Sequence, residues 1–200
     1  MELFVLFSSF PTDKFSVIYA DPPWTFKTWS TKGKGRSPEN HYGCMSLADI
    51  RALPVSDIAA DNCALFLWVT DPLLPEGLKL MEEWGFKYKT IAFVWVKTNQ
   101  SYKRKRPLWI EQDFFTGMGY WTRANSELCL LGTRGKPKRQ SAAVKRLIIA
   151  PRREHSRKPD EVANRITQLM GDVPRIELFA RQASKGWIGW GNETEKFNHE

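Results

Sequence analysis

The stretch Val17-Ile18-Tyr19-Ala20-Asp21-Pro22-Pro23-Trp24 sets an apolar, strand-forming run against an acid, two prolines and a tryptophan. The apolar residues do not alternate with polar ones, so the run reads as a strand buried on both faces. The prolines end it, because each has a fixed φ and no N–H to give to a ladder. A strand is therefore expected over Phe15 to Ala20. Asp21 then stands at its carboxyl end, on a stiff turn whose carbonyl oxygens are available to accept hydrogen bonds.

Working outward, Ser46 followed by Asp49 reads as a helix start, with the helix running through Ile50 to Leu53 and stopped by Pro54. Cys63 to Val69 reads as a buried strand, Pro75 to Trp84 as a helix with Gly85 just past its end, and Thr90 to Val96 as a strand. Glu127 to Leu131 and Leu147 to Ala150 are further strands. Pro159 to Met170 is a helix followed by Gly171, and Ile176 to Phe179 and Trp187 to Trp190 close the set. This alternation predicts an α/β fold, a mostly parallel sheet with helices on both faces. In such a sheet the ligand sits outside the carboxyl ends of the strands, where Asp21 falls.

The chain's 200 residues are expected to form a single domain, with basic loops at about 97–122 and 133–146. No apolar run approaches the roughly 18 residues of a membrane span, and the start MELFVLF lacks the flanks of a signal peptide, so a soluble, cytoplasmic protein is expected. Cys44, Cys63 and Cys129 are far apart, and so are His41, His155 and His199; no metal site is expected. The net charge of +8 is concentrated in two acid-free runs: five Lys or Arg from Lys97 to Arg106, and eight from Arg134 to Arg153. Two such runs beside nine tryptophans point to a polyanion, and nucleic acid is the commonest. The expected phosphate contacts are Lys103, Arg104, Lys105, Arg106, Arg134, Lys136, Lys138 and Arg139.

Asp21, the Pro22 carbonyl and the Trp24 indole together suit a flat ring that bears an amino group. The two acceptors would orient the amine hydrogens while the indole stacks on the ring, as in proteins that modify extruded bases. Further motifs lie downstream: Asn40-His41-Tyr42-Gly43-Cys44-Met45-Ser46, His155-Ser156-Arg157-Lys158-Pro159-Asp160-Glu161, and Glu177-Leu178-Phe179-Ala180-Arg181 followed by Trp187 and Gly191-Asn192-Glu193. With Asp21-Pro22-Pro23-Trp24, this ordered set resembles the MT-A70 family of adenine-N6 methyltransferases, over roughly residues 15 to 195. The family includes the catalytic subunit of the eukaryotic messenger-RNA enzyme and many phage and bacterial DNA enzymes.

The resemblance implies a Rossmann-like methyltransferase sheet in permuted order, with the catalytic tetrapeptide before the main cofactor segment, and S-adenosylmethionine as cofactor. It implies Asp21, Pro22, Pro23 and Trp24 as catalytic residues, with Asp21 and Pro22 also bordering the cofactor. Lys158 would pair with the methionine carboxylate, Asn192 and Glu193 would hold the ribose hydroxyls, and Phe179 and Arg181 would line the pocket. Glu193 stands where the messenger-RNA enzyme has Gln, and Asp13 is the nearest acid before the tetrapeptide. The expected activity is N6 methylation of adenine in DNA, favoured by the small chain. The alternatives are the same reaction on RNA and a catalytically inactive nucleic-acid-binding member.

Overall fold

The computed structural model describes residues 10–24, 45–99, 109–119, 121–154, 157–182, 184–192 and 194. Seven strands form one sheet: β1 (Phe15–Ala20), β2 (Ala59–Val69), β3 (Lys87–Thr98), β4 (Ser126–Arg134), β5 (Leu147–Pro151), β6 (Arg175–Leu178) and β7 (Ile188–Trp190). Their order across the sheet is β5-β3-β4-β2-β1-β6-β7. Four of the six pairings are parallel. Only β4 runs against its neighbours β2 and β3. This is a mostly parallel, Rossmann-like α/β methyltransferase sheet. β1, which leads into the tetrapeptide early in the chain, lies beside the late strand β6.

The apolar run at β1 is double-sided, as its sequence requires. Ile18 and Ala20 face one core with Leu65, Leu67, Val69, Ile176 and Leu178. Val17 and Tyr19 face a second core with Ala64, Phe66, Trp68, Phe93 and Trp95. Helices cover both faces. The first core is closed by α1 (Leu47–Ala52), α2 (Val55–Ile58) and α3 (Leu74–Glu83), through Ile50, Val55, Ile58, Leu80 and Met81. The second is closed by α4 (Glu161–Met170), through Val162 and Ile166. None of these helices is long and apolar enough to cross a membrane.

Local chemistry explains the helix limits. The Ser46 hydroxyl accepts the Asp49 N–H at 3.1 Å, which satisfies one of the donors left open at the start of α1. Pro54 ends α1 as expected, but the chain turns helical again at once, so α2 is an addition to the sequence reading. Gly171 follows the last residue of α4 and donates its N–H to the Thr167 carbonyl at 2.8 Å.

Gly77 sets how closely α3 can approach β2. A Cβ at this position would stand 2.4 Å from Val69 Cγ1, well inside contact distance. Gly77→Ala therefore exchanges a helix-propensity gain of about 1 kcal/mol for overpacking that costs about 1–3 kcal/mol. Urea unfolding is expected to show a net loss in the Gly77→Ala variant. In a Val69→Ala background the same substitution becomes stabilising; if it is equally damaging in both backgrounds, the Val69 contact is not what requires glycine.

Candidate active site

Strands β1, β2, β3, β5 and β6 all point their carboxyl ends toward one edge of the sheet, and the inverted β4 presents its amino end there. Asp21 follows β1, Lys97 lies near the end of β3, and Glu127 is the second residue of β4. Lys158 arrives from the segment before α4. Its Nζ lies 2.6 Å from Asp21 Oδ2 and 3.4 Å from Glu127 Oε2. Glu127 Oε1 in turn accepts a hydrogen bond from Lys97 Nζ. The result is an alternating line of charge, Asp21, Lys158, Glu127, Lys97, in which each inner member has an opposite charge on either side. Both ammonium groups also stand over indole rings, Lys158 at 5.4 Å from the Trp68 centroid and Lys97 at 5.0 Å from Trp95.

The segment carrying Lys158 is tied down. Arg153 binds the Asp160 carboxylate through both terminal nitrogens, at 2.8 and 2.7 Å, and donates to the Lys158 carbonyl at 2.6 Å. Gln182 adds a bond to Asp160 at 2.8 Å, which joins this segment to the chain after β6. The lysine is thus held by its own backbone.

The tetrapeptide is more internally engaged than its sequence predicts. The Pro22 carbonyl accepts the Trp24 N–H at 2.8 Å, so it is not wholly given to a ligand. Trp24 is 5% exposed, packs in the first core and donates its indole N–H to the Trp68 carbonyl at 3.0 Å. The expectation that this indole stacks on the substrate ring is therefore corrected: it is a buried anchor that fixes the turn after Asp21. The reason is elementary, since a buried indole satisfies its N–H when a carbonyl is within reach.

Asp21, Lys158, Phe179 and Arg181 line one cleft, together with Glu177 and Ser184. Phe179 holds a left-handed φ of 62°, unusual for an aromatic residue, and packs edge-on against Trp190 at 5.7 Å. The chain after β7 approaches it closely: a Cβ at Gly191 would stand 2.9 Å from the Ala180 backbone. Asn192 follows and is exposed, outside the residues that line the cleft. Pro22 and Pro23 are also outside that lining. Glu193, His155, Ser156 and the segment Asn40 to Cys44 lie outside the described residues, as do Lys103, Arg104, Lys105 and Arg106.

The second basic loop is not brought to the site. Arg134 pairs with Cys63, whereas the site end of β2 is Val69, six residues on, or roughly 20 Å along the strand. The Arg134 guanidinium donates to the Ser56 carbonyl at 2.8 Å, the Lys136 N–H to Asn62 Oδ1 at 2.7 Å, and the Gln140 N–H to the Leu169 carbonyl at 2.7 Å. Arg134, Lys136, Lys138 and Arg139 thus belong to a loop docked at the far end of the sheet, so any phosphate contacts they make lie away from Asp21. The acid-free run in the sequence carries charge but no direction, and the inversion of β4 sends it away. Among the described residues, no group of three or more His, Cys, Asp or Glu is placed to hold a metal ion.

Sequence reasoning missed Glu127 altogether, and quoted Glu177 without assigning it a role. Burial pushes the Asp21 carboxyl up despite its Lys158 partner, with Glu127 adding to the rise. Burial also opposes ionisation of Glu127, but Lys158 and Lys97 together outweigh it and hold that carboxyl below its ordinary range. Glu177 is pushed up to about 7 by burial and by the nearby Asp21 and Asp160 charges, against a hydrogen bond from Ser184 at 3.3 Å.

A methyltransferase-type sheet, a carboxylate at the end of its β1 and a cleft beside β6 define the class to which this protein belongs. The MT-A70 family profile matches residues 15–193, and the chain belongs to that family of N6-adenine methyltransferases. It is 33% identical to the Type II methyltransferase M.MunI of Mycoplasma sp, over 94% of this chain and 81% of that protein. It is 34% identical to an N(6)-adenosine-methyltransferase MT-A70-like protein of Arabidopsis thaliana, over 90% of this chain and 24% of that one. The human N(6)-adenosine-methyltransferase catalytic subunit METTL3 is 31% identical, over 91% of this chain and 28% of the subunit. The chain thus spans most of the first of these relatives and about a quarter of the other two.

Two outcomes follow from the charges. Glu127→Gln removes the anion between two lysines and is expected to cost about 1–3 kcal/mol in urea unfolding. Because the folded-state pKa of Glu127 is lowered, that difference is full above its ordinary value of 4.5 and shrinks as pH falls through the lowered value. Glu177 behaves oppositely. With a folded-state pKa near 7, raised from 4.5, its ionisation destabilises the fold as pH rises between those values. Glu177→Gln should match wild type at pH 4, gain on it by about 1–3 kcal/mol across that window, and hold the gain above it. A constant difference at all pH values would contradict the assignment.

Proposed function

We propose that this chain transfers the methyl group of S-adenosylmethionine to the exocyclic amine of adenine in DNA. The observation that carries the reading is the Asp21 carboxylate lining the cleft, held by Lys158 at 2.6 Å at the carboxyl end of β1. Similarity to a type II methyltransferase over most of that protein's length supports DNA as the substrate. The same reaction on RNA is the second reading, favoured by the similarity to N(6)-adenosine-methyltransferases.

The cleft suits the cofactor's chemistry. Lys158 and Arg181 offer positive charge to a carboxylate, Glu177 and Asp160 offer negative charge to an ammonium group, and Phe179 offers an aromatic face. Asn192 and Glu193 are assigned the ribose hydroxyls by their place in the motif. When bound, S-adenosylmethionine supplies an electrophilic sulfonium methyl group. Lys158 then has two tasks, because the cofactor's carboxylate would compete with Asp21 and Glu127 for the same ammonium.

The chain's own contribution concerns the amine. Its lone pair is delocalised into the ring, so it must be oriented before it can act as a nucleophile. Lys158 holds Asp21 Oδ2, which leaves Oδ1 to accept an amine hydrogen. As the amine becomes positive, the carboxylate stabilises it without having to reorganise. The raised basicity of Asp21 also makes it a better acceptor for the departing proton than an ordinary aspartate.

Asp21→Asn keeps the shape of the turn and removes the charge. Methyl transfer to plasmid DNA, read by nucleoside mass spectrometry, is expected to fall by about two orders of magnitude or more. Calorimetric binding of S-adenosylmethionine should remain. Matched DNA and RNA oligonucleotides decide between the two substrates, and undiminished transfer by the variant would remove Asp21 from the mechanism.

A further inference from the structure

In the connection from β3 to β4, the described residues 109–119 and 121–125 leave the site edge of the sheet as a built arm. At its root the Phe115 N–H donates to the Lys97 carbonyl and the Lys97 N–H to the Asn125 carbonyl, both at 2.8 Å. Thr98 and Phe114 form an antiparallel bridge beside them. The Arg152 guanidinium lies 4.1 Å from the centroid of the Phe115 ring, and Trp109 stacks on Phe114 at 5.5 Å. Further out, the Gly117 N–H donates to the Ala124 carbonyl at 2.8 Å and the Ala124 N–H to the Met118 carbonyl at 3.3 Å, which brings Gly117 and Met118 against Ala124. At the tip, Met118 is 44% exposed and Trp121 fully exposed, and Arg123 is exposed beside them.

Placing a whole indole in water at the end of a hydrogen-bonded arm is costly unless something covers it. Two observations identify what does. The arm springs from Lys97 and Asn125, and Lys97 is the last member of the charged line that begins at Asp21. Trp121 is four residues from Asn125, so its backbone lies within about 14 Å of that root. In addition, the chain from Phe114 to Ser126 contains no acid, while Arg123 and Arg152 add positive charge. A neutral aromatic face flanked by cations, without a carboxylate, complements a polyanion made of stacking rings better than it complements another protein surface.

We propose that residues 117–119 and 121–124 form a nucleic-acid contact in which the Trp121 indole stacks on a base next to the one being modified and Arg123 meets a backbone phosphate. The inference rests on the nucleic-acid reading of the site and deepens it. Taking an adenine out of a duplex opens a gap in the stack, at a cost of roughly a few kcal/mol. A rigid indole beside the site edge can offset part of that cost by giving a neighbouring base a new stacking partner. The buried Trp24 leaves this task to another residue.

The test uses the whole chain, duplex DNA oligonucleotides containing 2-aminopurine as a fluorescent base, and the variants Trp121→Ala, Trp121→Phe and Arg123→Gln. Trp121→Ala is expected to weaken DNA binding about 5- to 100-fold with an unchanged salt slope, because stacking releases no counterions. Trp121→Phe should recover part of the loss, and Arg123→Gln should lower the salt slope by about one unit. Binding of S-adenosylmethionine and the thermal midpoint should stay at wild-type values, since a fully exposed side chain contributes little to the fold. Wild-type binding by Trp121→Ala would overturn the inference while leaving the methyltransferase reading intact. So would a loss of self-association with DNA binding unaffected, which would assign the tip to a second copy of the chain. Absence of any nucleic-acid binding by the wild type would overturn the functional reading and the inference together.

Discussion

The rest of the site depends on the ion pair between Asp21 and Lys158. Each charge alone would be expensive at this depth, with side chains only 21% and 10% exposed. Together they are tolerable, and Glu127 and Lys97 extend the balance to two anions and two cations. The geometry needs strands of both directions. Parallel strands bring Asp21 and Lys97 to one edge, and only an inverted β4 can place Glu127 between the two lysines while its far end takes Arg134 elsewhere. A reversal that looks incidental in the topology therefore supplies the anion that organises the cations.

The same constraint gives Asp21 its chemical character. Burial raises its pKa and Lys158 lowers it, and Glu127 shifts the balance by drawing on the same ammonium and by repelling the second anion. The carboxylate is oriented by a cation without becoming an inert, strongly acidic partner of it. The turn below contributes stiffness through the prolines, the Trp24 N–H bond to Pro22 and the indole bond to Trp68. Trp68 itself donates to the Tyr19 hydroxyl at 2.7 Å, so the two cores on either side of β1 are connected through the residues that hold the tetrapeptide.

Much of this architecture was legible in the sequence, for identifiable reasons. β1 was found to the residue because its apolar run ends at prolines, and α1 because Ser46 caps it. The start of β2 was placed at Cys63 instead of Ala59, since Asp61 and Asn62 are exposed and break the apolar run. The direction of β4 could not be read, because a strand's side-chain pattern is the same in either direction. Two features of the site follow from long-range packing that the sequence pattern does not carry: Glu127 lies inside an ordinary strand, and the Trp24 indole is buried against Trp68 where the motif suggests an open face.

The central claim is that Asp21 acts as an ionised acceptor whose basicity is set by the shared lysine. Single-turnover methyl transfer to DNA, measured against pH for wild type and Glu127→Gln, tests this most directly. Removing the second anion takes away a repulsion and leaves Lys158 more fully to Asp21, so the acidic limb of the rate profile should move to lower pH. An acidic limb at the same pH in both proteins would show that the rate does not depend on the charge line, and would contradict the account.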